Sequence, residues 1–427
     1  MKRYLFFDED KMENQKEQQQ SIVLLIIFLL ALATRLLLAP FIPGYVTDVR
    51  CFKGWADQVA KVGFSRFYSS DMFVDYPPGY ILVLYPIGKI RLLFNLDFNS
   101  PLFLLLIKLP SLITDLATGY LLLCAARKAK LNFSLSLLLI LYLFNPAILI
   151  NSAVWGQVDS FFTFFVLLSL WFIEEKRFPL ASSTMVYALL VKPQALFFFP
   201  ILLFALLENK NWKTFFKGVV SGLVVLFLVI LPFSWGNGIY WLIQKYQGTI
   251  SSYPYASLNA FNFFALTGGN WVEETHPFLF LNYKTWGYIF LLTISGTGAF
   301  LFFRWKNPYK IYPLSFFLIS SIFMFSSKMH ERYLYPALIL ALLVFVYFPH
   351  RRILLTYSGF SITHFLNVGL VLLYSWYNVF HLSRYSPYVL AISLSNLLLY
   401  VYALYAGFHL FQNKKPMTSK ESQVLSP

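Results

Sequence analysis

Six polar stretches interrupt an otherwise apolar sequence, and they hold the side chains that could do chemistry: Asp48 to Asp75, Trp155 to Asp159, Lys192 to Gln194, residues 234–283, Ser327 to Arg332, and His381 to Arg384. Asp48 lies in GYVTDVR, soon after a hydrophobic segment. A carboxylate held there can take the proton of an incoming hydroxyl. It could equally cap a helix over 49–62, since Thr47 and Asp48 both suit an N-cap. Asp57 follows nine residues later, about 2.5 helical turns on, so it faces away from Asp48. Its expected partners are Lys53 and Lys61, each four residues off. A site built from both acids is therefore disfavoured, and no metal is expected. Asp75 and Tyr76 precede Pro77-Pro78-Gly79. The prolines fix the backbone and push Tyr76 to an extended conformation. Either residue could be presented to a substrate, or the turn could be only a junction into a helix.

Trp155-Gly156-Gln157-Val158-Asp159 sets an indole beside an amide and a carboxylate. Sugars stack on aromatic faces and need bidentate polar partners, so this set suits a sugar. An interfacial Trp followed by an N-cap Asp is the competing reading. Lys192 sits mid-way in a hydrophobic stretch beside Pro193 and Gln194. A cation that deep is functional by default, and a phosphate is its simplest partner. Lys328, His330 and Arg332 add two fixed cations and one switchable one around Glu331, which suits phosphate or pyrophosphate. The plainer alternative is a Glu331–Arg332 ion pair with an interfacial Lys.

These residues need a scaffold, and the composition says which kind. The chain is 58% hydrophobic and 12% charged, about half the charge of a soluble domain. It reads as an all-α polytopic membrane protein with about 11–13 transmembrane helices and a helical first outer loop. The net charge of +15 reflects Lys and Arg collected at short cytoplasmic connections, not a nucleic-acid surface. Residues 1–20 read as a cytoplasmic tail rather than a signal peptide. Residues 21–411 form a single transmembrane catalytic domain, with 44–94 as an outer loop carrying interfacial helices and 234–283 as a second outer loop. Residues 412–427 are a second cytoplasmic tail. Pro77 to Phe94 is assigned to the outer interface, because a crossing there would put Arg127, Lys128 and Lys130 outside. The 180–207 stretch is long for one helix and short for two, so it is expected to break at Lys192–Gln194. Cys51 and Cys124 give no disulfide framework. The sequon Asn132-Phe133-Ser134 falls on the cytoplasmic side. With this layout all six polar stretches lie on the outer face.

The order of motifs resembles the GT-C glycosyltransferases: an early Asp and a later DYPP in the first outer loop, NPAxxxxxxxWGQxD, a KPQ inside a span, and a late KMHERYLYP. Within that superfamily it is similar to bacterial proteins related to the mannosyltransferases of GPI-anchor synthesis, with kinship to the glucosyltransferases of lipid-linked oligosaccharides. The resemblance implies a hexosyltransferase, for mannose or glucose, working with inversion at the outer membrane face. Its donor is a polyprenyl-phosphate-linked sugar, its acceptor a glycan or lipid, and it needs no cofactor. Asp48 matches the catalytic base. His330, Glu331 and Arg332 match the motif beside the donor phosphate, and Lys192 with Gln194 matches a basic-Gln pair in a broken helix. Lys328 joins the expected phosphate group; Asp75, Tyr76, Trp155, Gln157, Asp159, Gln194 and Glu331 form the expected substrate pocket. A flippase or exporter of lipid-linked saccharide would predict repeats and several deep charges; Lys192 is the deep cation noted and no repeat is visible. A polymerase or ligase of envelope polysaccharide would share the donor.

Overall fold

The computed structural model describes residues 2–69, 72–235, 237–238 and 240–412. The protein is an all-α polytopic membrane protein, apart from two ladders of two-residue strands. Helix α1 (Lys2–Leu38) runs without a break from the polar N-terminal residues into the first span, so 2–20 is helix rather than irregular tail. The C-terminal tail, 413–427, lies outside the described residues. In chain order follow α2 (Val46–Val62), α3 (Pro78–Leu93), α4 (Pro101–Lys128), α5 (Leu135–Leu143), a π-helical turn (Ile150–Trp155), α6 (Asp159–Glu174), α7 (Phe178–Val191) and α8 (Phe199–Glu208). The second half contains α9 (Trp212–Ser234), α10 (Trp241–Ser251), α11 (Tyr283–Arg304), α12 (Ile311–Phe325), α13 (Tyr335–Tyr347), α14 (Arg351–Trp376) and α15 (Pro387–Gln412).

Among the described residues, seven helices are long and apolar enough to cross a membrane, and four shorter apolar helices accompany them. The count expected from sequence is higher because it takes the short helices as spans. Their shortness has a packing reason. Every side chain from Tyr335 to Val346 in α13 is buried, against α12, α14, α4 and α6. A helix enclosed by protein need not match the hydrocarbon thickness. At the periphery, only 17% of the apolar window of α9 is buried, against 61% for α4, so α9 shows its apolar side to lipid.

Three local features place the polar groups. First, α2 begins at Val46 with Tyr45 as an N-cap that makes no side-chain hydrogen bond. Asp48 is thus in the first turn, where the helix dipole favours an acid, and does not cap a helix starting at 49. Asp57 pairs with Lys61 at 2.6 Å and with Arg91; Lys53 instead lies over Phe98 and Phe103. Second, the apolar run through 178–208 breaks where the sequence suggests. Lys192 is extended (φ −150°, ψ 128°) ahead of Pro193, and a 3-10 turn over Pro193–Phe198 leads into α8. A residue before proline is pushed out of the helical region and proline donates no N–H, so the ladder stops there. Third, strand β1 (Ser257–Leu258) pairs in parallel with Met329–His330, which ties the second long loop to the His330 segment.

Candidate active site

The site grows from the π-helical turn and the glycine after it. Gly156 has φ +87°, a left-handed conformation open to glycine at little cost. A Cβ there would come within 3.1 Å of Lys108 Cε and 3.3 Å of Val49 Cγ2. This turn brings two side chains onto one oxygen. The Trp155 indole N–H donates to Asp48 Oδ2 at 2.8 Å, and the Gln157 amide N–H donates to the same atom. Tyr76 O–H donates to Gln157 Oε1 at 3.2 Å, which fixes which end of the amide faces Asp48. Trp155 is fully buried. Its ring stacks on Tyr45 at 4.6 Å with planes 4° apart, and the Arg332 guanidinium lies over it at 5.1 Å. The expectation of a sugar-stacking Trp155 is corrected accordingly: its N–H and ring are spent on Asp48, Tyr45 and Arg332. Asp48 itself keeps 23% side-chain exposure, so one of its oxygens can meet an acceptor.

Arg332 is the hub of the charges. It pairs with Glu331, and its nitrogens stand 3.7 Å from Asp48 Oδ2 and 3.7 Å from Asp159 Oδ2. Its Nε has no hydrogen-bond partner. Lys192, expected to face a phosphate, is instead paired with Asp159, both side chains at most 4% exposed. Asn151 Nδ2 also donates to Asp159 at 3.2 Å. Breaking a buried pair from one side leaves an uncompensated charge, at a cost of about 3–5 kcal/mol. Lys192→Met is expected to destabilise by about that much, and adding Asp159→Asn is expected to recover most of it. Thermal unfolding of the two variants in lipid discs checks this; additive losses would dissolve the pair as a unit.

Of the remaining candidates, His330 and Asp75 feel the Arg332 charge, and the others are placed by contacts of their own. His330 lies between Tyr253 and Tyr333, with ring centroids 5.1 and 5.0 Å away. Burial, then the Arg332 and Lys192 charges, push its imidazole well below the ordinary value, which favours the neutral ring over the switchable cation expected from sequence. Gln194 sits beside Tyr333 and its Oε1 has no partner. Asp75 accepts from Tyr253 O–H at 3.3 Å; burial, then the Asp48 charge, raises its carboxyl. Lys328 is paired with Glu274 at 3.1 Å, which Lys284 also approaches at 3.6 Å, so it is placed with Glu274 rather than shown against Asp48 or Arg332. His381 stacks on Trp271 at 3.8 Å.

Burial pushes the Glu331 carboxyl up to about 7, with Arg332 pulling the other way. Below that pH the neutral acid leaves Arg332 to an anion; above it the carboxylate competes. Affinity for a lipid phosphate is expected to fall as pH rises through 7, and Glu331→Gln is expected to abolish that dependence. Binding titrations on either side of pH 7 check it, and a pH dependence that survives in Glu331→Gln assigns the proton elsewhere. The stability sign is consistent: a raised acid favours the folded state less as pH climbs from its ordinary value to about 7.

The sequence reading passes over Tyr45, Asn151, Tyr253 and three charges inside helices: Arg35, Lys108 and Asp115. Arg35 and Asp115 form a fully buried pair at 2.9 Å, and Asp115 also accepts from Ser152 and Tyr335 at 2.6 and 3.1 Å. The rule that flags Lys192, a charge within an apolar run, applies equally to Lys108 and Asp115.

The family model for glycosyltransferase family 87 matches residues 73–327, well over half of the chain; Asp48 and His330–Arg332 flank the matched segment. Among solved structures, the chain is similar to ArnT from Cupriavidus metallidurans bound to undecaprenyl phosphate, with 13% identity over 88% of this chain and 76% of that one, at a TM-score of 0.43. None of the curated proteins matches by sequence.

Proposed function

As the chain belongs to glycosyltransferase family 87, we propose that it transfers a hexose, mannose or glucose, from a polyprenyl-phosphate-linked donor to a hydroxyl of a glycan or lipid acceptor, on the outer membrane face and with both termini cytoplasmic. The observation that carries this reading is the adjacency of Asp48 and Arg332. A half-open carboxylate and a guanidinium with an unpartnered N–H stand 3.7 Å apart at one end of the bundle. In a single displacement the acceptor oxygen forms a bond to the anomeric carbon as the bond to the phosphate oxygen breaks. Asp48 takes the acceptor proton. The bonding pair leaves with the lipid phosphate, whose growing charge Arg332 neutralises. His330 adds an N–H donor, and Asp159, itself held by Lys192, helps to hold Arg332 in place. The two roles are coupled: a donor phosphate competing for Arg332 releases Asp48 to act as a base. Attack from the face opposite the phosphate inverts the anomeric centre.

The test is purified protein in lipid discs with radiolabelled polyprenyl-phosphate mannose or glucose and a panel of glycan and glycolipid acceptors. Transfer with stoichiometric release of the lipid phosphate is expected. Transfer from a nucleotide sugar, with lipid-linked donors inert, would overturn the reading. Accessibility labelling of single cysteines at positions 75 and 328 tests the side; reaction only from the cytoplasm would reverse the orientation.

A further inference from the structure

We propose that Lys108 is a positioning residue for the transfer reaction, setting the register between the segment that carries Asp48 and the turn that carries Trp155 and Gln157. Lys108 lies in α4, fully buried. An ammonium group has three protons to donate. Here they go to three backbone carbonyls: Ile42 at 2.7 Å, Ala153 at 3.0 Å and Val154 at 3.0 Å. Among the described residues no carboxylate pairs with it. Burying an unpaired ammonium costs several kcal/mol, so these three bonds have to offset it.

The carbonyls belong to the two strips of chain that build the site. Ile42 is in the turn between α1 and α2, six residues before Asp48. Ala153 and Val154 lie near the end of the π-helical turn, immediately before its last residue, Trp155. Carbonyls at a helix end have no partner within the helix, and a cation there also meets the negative end of the dipole. Lys108 supplies the partner for both strips at once. Its stem packs on Gly156, with Cε and Cγ at 3.1 and 3.3 Å from where a Cβ would sit.

Other contacts join the same two strips. Tyr45 N–H donates to Trp155 O at 3.3 Å. A Cβ on Gly44, whose φ is +76°, would lie 2.3 Å from that carbonyl oxygen, so the strips touch backbone to backbone. Ser111, one turn along α4 from Lys108, donates to Gln157 O at 2.6 Å. The face of α4 that carries Lys108 and Ser111 therefore fixes both flanks of Trp155–Gln157. Lys108 touches no reacting atom; it acts through the bonds that Trp155 and Gln157 make to Asp48.

Lys108→Met keeps the length of the stem and removes all three donors, and Lys108→Gln keeps two. Both are compared with wild type in lipid discs for yield of folded protein, kcat and donor KM. A displacement of about 1 Å at a catalytic group costs on the order of 100-fold. The expected result is a kcat about 100-fold lower in Lys108→Met and intermediate in Lys108→Gln, with donor KM within about twofold, since the Arg332 group is left intact. A loss of folding alone would lower yield and leave kcat and donor KM of the folded fraction unchanged. Wild-type kcat in folded Lys108→Met overturns the proposal. So does failure of both variants to accumulate, which would assign Lys108 to the fold. The proposal rests on Asp48 as the base, so Asp48→Asn is run alongside. An active Asp48→Asn overturns both; an inactive one beside an unchanged Lys108→Met overturns this proposal alone.

Discussion

Asp48→Asn lowers kcat by about 10³–10⁴-fold and leaves the protein folded with its lipid-phosphate affinity intact: that is the expected result at the position with the largest predicted effect. The magnitude follows from the role, since proton transfer to a positioned base is worth about 10²–10⁴-fold. The upper part of that range is expected because the amide removes the base outright. Trp155 and Gln157 both give a hydrogen to Oδ2, and an amide oxygen still accepts them, so the fold around the turn survives. The amide nitrogen has no proton-accepting lone pair to offer the acceptor. Arg332 loses one of the three carboxylates around it, so binding of a phosphate-bearing lipid stays equal or tightens. Separate measurement of transfer and of lipid-phosphate binding tests both halves. Turnover within tenfold of wild type would falsify the base assignment, and weakened binding would show that Asp48 holds the donor instead.

Much of the scaffold is legible in the sequence because its causes are local. The break in 178–208 is carried by one proline and the extended residue before it. The membrane class follows from composition. The first turn of α2 and the ends of the short helices are set by packing, and pattern alone misplaces them. Asp48 reads as the cap of a helix over 49–62 but is the third residue of a helix that starts at Val46, and α13 reads as a span although it is enclosed by other helices.

In the site, residue types are legible in the sequence and their partners are not. Lys192 stands out as a deep cation, but its pairing with Asp159 depends on how α6 meets the break before α8, which no spacing encodes. Trp155 stands out as an aromatic beside polar groups, and only the tertiary structure shows its indole pointing at Asp48. Lys108 and Asp115 carry the same signal as Lys192, but the hydropathy of the segment around them already reads as a span and masks it. Charges found in pairs far apart in sequence are the information that folding adds.

Arg332→Gln is the second large effect, and it separates leaving-group stabilisation from charge balance in the fold. Removing one preorganised donor from developing charge costs about 10²–10³-fold in kcat, and Arg332 brings a full charge as well as its N–H groups. The same change leaves Asp48, Asp159 and Glu331 with Lys192 as the nearby cation, paired to Asp159 alone. Some loss of stability is therefore expected together with the loss of rate, and the rate alone would not identify the cause. Glu331→Gln supplies the separation. In the double variant Arg332→Gln/Glu331→Gln a buried carboxylate disappears along with its partner, so stability is expected to return toward wild type. Turnover is expected to stay down by the same factor, because no cation has been restored at the phosphate. Arg332→Lys is expected to recover only part of the rate, since a single ammonium cannot pair with Glu331 and still present N–H groups toward Asp48, Asp159 and a phosphate. Unfolding temperatures and single-turnover rates for the three variants decide the matter. A double variant that regains turnover with stability would make Arg332 a structural counter-ion and return the phosphate site to Lys328 or to a group outside this cluster.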